Sequence, residues 1–152
     1  MARHPEPKKW YPTHPEKYVG DVNNIIARSS WEVKFLNWCD SNPNILKYSS
    51  EEIIIHYYIQ VDQKMRRYFV DFAIMVKTKT GEIKKYIVEV KPDYQTRPPE
   101  GKRKTKRLYE ETATYVVNTD KWAAATEWAK KCGMEFIILT EKDLFPNGNT
   151  KK

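Results

Sequence analysis

The chain has 152 residues and a formal net charge of +7. This length suits one domain with a sizeable core. The positive charge favours an anionic partner, and nucleic acid is the default candidate. A membrane partner is not expected, because no run approaches the roughly 20 apolar residues of a transmembrane helix and the first residues lack the apolar core of a signal peptide. The two cysteines, Cys39 and Cys132, are too few for a disulfide framework, so we expect free thiols.

The first part of the chain predicts an arm followed by a helix. Residues 1–15 hold four of the nine prolines and scattered basic residues, which favours an extended arm outside the core. Docking of the arm's aromatic residues on the domain is favoured over stacking on bases. A helix is expected from Ser29 or Ser30, either of which is a good N-cap, to about Asp40. Aromatic residues recur within it at helical spacing: Trp31, Phe35 and Trp38.

The middle of the chain predicts three strands in a meander, over residues 52–58, 65–78 and 83–92. A proline-rich loop then leads to two helices, over residues 102–117 and 120–131. After a stop at Gly133 comes a strand at 134–140, and a final turn follows at 141–144. The strand is apolar on both faces, which favours a central position reached by a helical crossover.

The predicted order αβββαβ indicates an α/β fold with a mixed sheet flanked by helices. We expect a single domain over residues 16–145. The arm at 1–15 precedes this domain, and a flexible tail at 146–152 follows it.

Three charged residues interrupt two stretches that otherwise have the composition of buried strands. Asp71 lies within Tyr-Phe-Val-Asp-Phe-Ala-Ile-Met-Val, and Glu89 and Lys91 lie within Tyr-Ile-Val-Glu-Val-Lys-Pro. Burying an isolated carboxylate is costly, so it normally occurs with a metal, a cationic partner or a shifted pKa. The three positions therefore call for a shared explanation.

A hairpin would bring these three side chains together. The residues Thr80 and Gly81 give a turn signal, and folding about them sets Asp71 near Glu89 or Val90 on the facing strand. Two carboxylates there suit Mg²⁺ or Mn²⁺, which prefer oxygen ligands. Lys91 points to the same face as Glu89 and can orient or help deprotonate a water. The pattern predicts hydrolytic phosphodiester chemistry.

The same residues also allow a purely structural interpretation. Asp71 could be satisfied by Arg66, Arg67 or a backbone amide, and Glu89 with Lys91 could form an exposed ion pair. The neighbouring side chains favour the metal site, because they make both strands apolar on both sides and leave neither with an obvious solvated face. These neighbours are Phe69, Val70, Phe72, Ala73, Ile87, Val88 and Val90.

These blocks resemble a known nuclease pattern. Val70-Asp71 followed by Glu89-Val90-Lys91 is similar to the core of the PD-(D/E)XK nuclease superfamily, with Val70 where the name has Pro. The block Arg28-Ser-Ser-Trp-Glu32 resembles the helix-borne Glu block of transposon end-cleaving endonucleases. Together with Tyr-Phe-Val-Asp-Phe and Val-Glu-Val-Lys-Pro, it resembles the head completion nucleases of tailed myovirus bacteriophages.

The resemblance implies a single PD-(D/E)XK nuclease-like domain and a Mg²⁺- or Mn²⁺-dependent deoxyribonuclease. It implies that Glu32 completes the metal environment of Asp71 and Glu89, with Lys91 positioning the water. The setting would be phage head completion after DNA packaging, with DNA and portal or neck proteins as partners, in the host cytoplasm during assembly and in the virion. Two alternatives stay open: a non-catalytic adaptor that binds DNA at the portal or neck, and a transposase-type endonuclease subunit.

The densest basic cluster predicts contacts with DNA phosphates. Its members are Arg97, Lys102, Arg103, Lys104, Lys106 and Arg107. Positive charge in the first turn of a helix opposes the helix dipole, which favours a role toward a partner over a merely solvated helix start. Phosphate contacts would give binding that is independent of base sequence and strongly dependent on salt.

Overall fold

The computed structural model of the chain describes residues 6–101 and 103–146. Its elements, in chain order, are β1 (Lys8–Trp10), β2 (Ile25–Ala27), α1 (Ser30–Ser41), β3 (Ile45–Ser50), β4 (Ile54–Ile59), β5 (Lys64–Phe69), β6 (Phe72–Lys77), β7 (Ile83–Val90), α2 (Lys106–Lys131), β8 (Glu135–Leu139) and α3 (Glu141–Leu144). Short 3-10 turns lie at Pro15–Lys17 and Asp93–Thr96. No helix in this part of the chain is long and apolar enough to cross a membrane.

A four-stranded mixed sheet, in the order β3-β6-β7-β8, forms the centre of the fold. Strands β3, β6 and β7 are antiparallel neighbours, and α2 carries the chain over to β8, which lies parallel to β7. The elements α1, β3, β6, β7, α2 and β8 therefore follow the predicted order αβββαβ, and the α/β fold class is confirmed. Two further strand pairs, β1-β2 and β4-β5, lie outside this sheet.

The sheet is covered on both faces, which explains why its strands are apolar on both sides. On one face α1 packs against β6, with the rings of Phe35 and Phe72 4.6 Å apart between centroids. On the other face Ile87 joins a cluster with Ala125 and Ala129 of α2. The α1 helix begins as predicted, because the Ser29 side chain accepts a hydrogen bond from the backbone N–H of Glu32.

The meander is built from a different first strand than the sequence predicted. The segment 52–58 was expected beside β6, but Ile45–Ser50 occupies that place, and Ile54–Ile59 pairs with β5 in a separate ribbon. The predicted strand 65–78 is likewise two strands, interrupted at Val70 and Asp71. The Glu51 N–H donates to the Asp71 carbonyl there, and Glu51 has a φ of +56°, a sharp turn that strand propensity does not reveal.

Two other details of the prediction are also corrected. The helices expected at 102–117 and 120–131 are one continuous helix, α2, which starts at Lys106 and is capped by Thr105. No glycine or proline interrupts it, so nothing in its sequence forces a break. The strand β8 lies at the edge of the sheet rather than at its centre. Helix α3 covers the predicted final turn, and Gly133, with a φ of +70°, ends α2 as predicted.

The described part of the predicted arm, residues 6–15, lies against the domain. Strand β1 pairs with β2, and the Trp10 indole N–H donates to Asn37 of α1 at 3.0 Å. The buried Asp40 carboxylate accepts from the backbone N–H groups of Thr13 and His14. These contacts dock the arm on α1 through Trp10, as predicted for its aromatic residues, although the arm was expected to lie outside the core. Residues 1–5 and most of the predicted tail lie outside the described residues, so the predicted domain boundaries stay a prediction.

Candidate active site

Asp71 and Glu89 form a carboxylate pair at one end of the β6-β7 hairpin. In the ladder Phe72 lies opposite Val88, so the next position along places Asp71 across from Glu89. This is the juxtaposition that the hairpin predicted. Asp71 Oδ2 accepts a hydrogen bond from the backbone N–H of Val90 at 2.9 Å, which fixes the carboxylate against β7.

Glu89 is a buried charged residue with dedicated hydrogen-bond donors. Its side chain is only 3% exposed, which makes its placement expensive without partners. The Tyr68 hydroxyl donates to Glu89 Oε2 at 2.6 Å, and the Trp122 indole N–H donates to the same oxygen at 3.1 Å. Both donors are neutral, so they hold the carboxylate in place without cancelling its charge. Oε1 carries neither of these two bonds.

The environment of Asp71 disfavours a second negative charge. Burial raises the pKa of Asp71 well above its ordinary value, and the charges of Glu89 and Glu32 raise it further. The Val90 N–H acts in the opposite direction, as expected for a donor to the charged form. Two carboxyl groups in such a place share a negative potential that a cation would relieve.

Glu32 reaches the same region from the first turn of α1. Its charge acts on Asp71 and also on Arg28, whose guanidinium pairs with Glu51 at 2.6 Å. The sharp turn at Glu51, which pairs with Arg28, lies on the side of Asp71 away from β7. Glu32 therefore lies close enough for its charge to act on Asp71, and the side chains of Asp71 and Glu89 lie within hydrogen-bonding reach of each other.

Two lysines lie near the carboxylate pair, on different elements. Lys91 directly follows β7 and is half-buried, with its backbone N–H donating to the Leu139 carbonyl at 2.9 Å. Lys121, on α2, places its ammonium 4.7 Å from the centroid of the Tyr68 ring. Burial lowers the pKa of Lys121, Lys91 lowers it further, and the charges of Glu89 and Asp71 oppose these effects.

The donor set fits a hard divalent cation bound partly through water. Within residues 6–101 and 103–146, no three His, Cys, Asp or Glu side chains are gathered tightly enough to form a complete metal cage. Mg²⁺ commonly uses one or two carboxylates, keeps several waters and accepts substrate phosphate oxygens as further ligands. Asp71 and Glu89 supply two such carboxylates, and a cation bound between them would reduce their mutual repulsion.

Comparison with known proteins bears on this arrangement. The family model of the TnsA-like endonuclease N-terminal domain matches residues 42–141. The chain belongs to this endonuclease family. The head completion nuclease of Enterobacteria phage T4 is 41% identical to it over 141 residues, covering 90% of this chain and 91% of the T4 protein. No solved structure gives a significant match.

These matches confirm the family predicted from the sequence blocks. Both predicted resemblances, to transposon end-cleaving endonucleases and to head completion nucleases, are found. The segment matched by the endonuclease family contains Asp71, Glu89 and Lys91, whereas Glu32 lies before it. The roles of these four residues are not tested by the matches. They stay predictions, supported by the geometry described above.

The described members of the predicted phosphate-binding cluster lie on the loop before α2 and on its first turn. Three of its members make ion pairs with nearby carboxylates: Arg97 with Asp93, Lys106 with Glu110, and Arg107 with Glu111. Arg103 and Lys104 are exposed, and Lys102 lies outside the described residues. Arg97 also lines a cleft of about 580 Å³ between this loop and α2, to which the two site carboxylates do not contribute.

Sequence reasoning missed the two side chains that donate to Glu89 and the lysine that lies beside them. Tyr68 and Trp122 read as core aromatics, and only the fold brings them to Glu89. Lys121 did leave a signal in the sequence. It occupies the same helical stripe as Ala125 and Ala129, both fully buried, and a lysine in such a stripe needs an explanation.

Proposed function

We propose that the protein is a metal-dependent deoxyribonuclease of the PD-(D/E)XK type that hydrolyses phosphodiester bonds during phage head completion. The observation that carries the proposal is the Asp71–Glu89 pair, held on a hairpin by dedicated donors in a setting that raises the pKa of Asp71. A buried pair of like charges is costly to maintain, and a bound cation would offset their repulsion.

Asp71 and Glu89 would hold Mg²⁺ or Mn²⁺, with Glu32 as a third, peripheral contributor. When bound, the ion would polarise the phosphate and lower the pKa of a water. Tyr68 and Trp122 fix the Glu89 carboxylate, so little reorganisation is required of it during the reaction. Lys91 would orient the attacking water, because this half-buried lysine lies two residues after Glu89 and its ammonium can donate but not accept hydrogen bonds.

DNA would be held mainly through its phosphates by the basic cluster at 97–107. Arg103 and Lys104 are exposed, and the ion pairs of Arg97, Lys106 and Arg107 are with exposed or half-buried partners that water screens. Replacing these ion pairs by contacts with DNA phosphates therefore costs little free energy. A second candidate path crosses the β4-β5 ribbon, where Arg66 and Arg67 are exposed.

The biological setting follows from the relative. The T4 protein is named a head completion nuclease, and the two chains match over nearly their whole lengths. We infer the same stage for this protein, acting on DNA after packaging in the host cytoplasm and at the head or neck of the virion, next to portal or neck proteins.

The test is a cleavage assay on supercoiled, linear and single-stranded DNA with Mg²⁺, Mn²⁺ or EDTA. Wild-type protein should cut with metal and not with EDTA, and Asp71→Ala and Glu89→Ala should abolish cutting while keeping the fold. Glu135→Ala is the matched control, because Glu135 is an exposed carboxylate on the neighbouring strand β8.

Equal cutting by wild type and both site variants would refute the assignment. A wild-type protein that binds DNA yet leaves every substrate intact would instead favour the non-catalytic adaptor. Cutting that appears only when partner proteins are added would favour the transposase-type subunit.

A further inference from the structure

Lys121 lies where a core residue would be expected. The positions Ala125 and Ala129, one and two turns later on α2, are fully buried against the sheet. Its neighbour Trp122 donates to Glu89, and its own ammonium lies over the ring of Tyr68, which also donates to Glu89. The ammonium therefore lies close to the carboxylate pair, on the α2 side of the sheet.

The Lys121 ammonium has donors that the fold leaves available. In the part of the chain that the structure describes it makes no ion pair, and it contacts the Tyr68 ring. An ammonium has three donors, and a half-buried one without acceptors is unfavourable unless a ligand supplies them. Lys121 is half-buried and not fully enclosed, so an incoming group can reach it.

We propose that the Lys121 ammonium contacts a non-bridging oxygen of the scissile phosphate. This rests on the proposed nuclease function and adds a residue to it. A phosphodiester is an anion, and the site it must approach already holds Asp71 and Glu89, which repel it. Two ammonium groups, Lys91 from β7 and Lys121 from α2, offset that repulsion from different elements.

The two lysines then have separate tasks. Lys91 positions the water, and Lys121 holds the phosphate and gains strength as charge shifts onto the phosphoryl oxygens in the transition state. A donor of this kind acts mainly on the rate of bound substrate. The competing explanation is structural: Lys121 could simply cover Tyr68 and offset the charge of Glu89.

The experiment compares Lys121→Gln, Lys121→Arg and the control Lys130→Gln, an exposed lysine later on the same helix. Single-turnover cleavage is measured at saturating DNA, together with the half-saturating concentration and the melting temperature. We expect Lys121→Gln to lose about 10²-fold or more in rate, as for removal of one transition-state donor. Lys121→Arg should recover part of the loss, and Lys130→Gln should match wild type.

A second measurement is independent of cleavage. In an Asp71→Asn background, which cannot cut, Lys121→Gln should reduce the slope of log affinity against log salt concentration by about 0.9, the value for one phosphate contact. Lys130→Gln should leave the slope unchanged. A structural lysine has no reason to alter it.

Three outcomes would overturn the inference: a wild-type rate in Lys121→Gln, a loss that only follows a lower melting temperature, or a loss that arginine does not reduce. These are separable from failure of the proposed function itself. If the wild-type protein cuts no DNA, the proposed nuclease function is wrong. If the wild type cuts DNA and Lys121→Gln cuts at the same rate, only the proposed contact between Lys121 and the phosphate is wrong.

Discussion

Replacing Asp71 by Asn should stabilise the metal-free protein while removing its activity. The Asp71 and Glu89 side chains lie within hydrogen-bonding reach, and burial and like charge raise the pKa of Asp71. An asparagine is nearly the same size as the protonated carboxyl. Its carbonyl can keep the bond from the Val90 N–H, and its amide can donate to Glu89. Where Asp71 is ionised in the wild type, its repulsive contact with Glu89 thus becomes an attractive one.

The magnitude follows from those two bonds. A hydrogen bond to a charged partner contributes about 1.5–3 kcal/mol, and the Val90 bond weakens by about 1 kcal/mol once its acceptor is neutral. The net gain is about 0.5–2 kcal/mol. For a domain of this size each kcal/mol raises the melting temperature by about 2–4 °C, so we expect an increase of about 1–8 °C in EDTA at a pH where Asp71 is ionised.

The gain should depend on pH in a defined direction. In the unfolded chain Asp71 titrates near its ordinary value of 3.8, and in the folded protein its pKa is raised. The stability associated with its proton is complete below the lower pKa and is lost as pH rises through the folded-state pKa. Asn keeps the equivalent of that proton, so the melting-temperature difference should widen from pH 5 to pH 9.

In Mg²⁺ the wild type should become more stable than Asp71→Asn, the reverse of the order expected in EDTA. A ligand at 100 times its dissociation constant stabilises the folded state by about 2.7 kcal/mol, and the variant has lost a ligand for it. Differential scanning calorimetry in EDTA and in Mg²⁺ measures both effects. An Asp71→Asn protein that is less stable than wild type in EDTA at every pH would refute the reasoning, and would indicate that the carboxylate serves the fold as an ion-pair partner.

Three further variants test the remaining roles. Lys91→Ala should lower the rate at saturating DNA far more than it alters the Mg²⁺ midpoint, since an ammonium cannot ligate the ion; the reverse pattern would contradict its role. Glu32→Ala should raise the Mg²⁺ concentration for half activity, and an unchanged midpoint in the titration would remove Glu32 from the site. Neutralising Lys102, Arg103, Lys104, Lys106 and Arg107 together should weaken affinity equally for unrelated DNA sequences and flatten its salt dependence, with the saturated rate retained. If affinity and salt slope stay at wild-type values, the same change at Arg66 and Arg67 becomes the next binding experiment.

The hairpin could be predicted because its information is local. A turn signal at Thr80-Gly81 and period-two strands fix which residues face each other, so Asp71 opposite Glu89 follows from counting. The α1 helix was equally local, since Ser29 caps it and its apolar spacing sets its face. Family blocks then placed both elements in a nuclease fold.

The choice of strand beside β6 could not be made locally. The segments 45–50 and 54–59 are both rich in β-formers, and propensity does not decide which joins the central sheet. The turn at Glu51 decides it, with a left-handed backbone at a non-glycine residue. The consequence reaches the site. Because the chain leaves the sheet there and returns at Asp71, strand β5 delivers Tyr68 to Glu89.

The donors around Glu89 show why the site is larger than its motif. Asp71, Glu89 and Lys91 come from one hairpin, but the groups that hold Glu89 in place come from the ribbon and from α2, 21 and 33 residues away in sequence. A buried carboxylate needs such donors whether or not a metal is present. Tyr68 and Trp122 thus connect the ribbon and the long helix to the proposed site. A substitution that shifts α2 should therefore reduce activity even when it spares every residue of the hairpin.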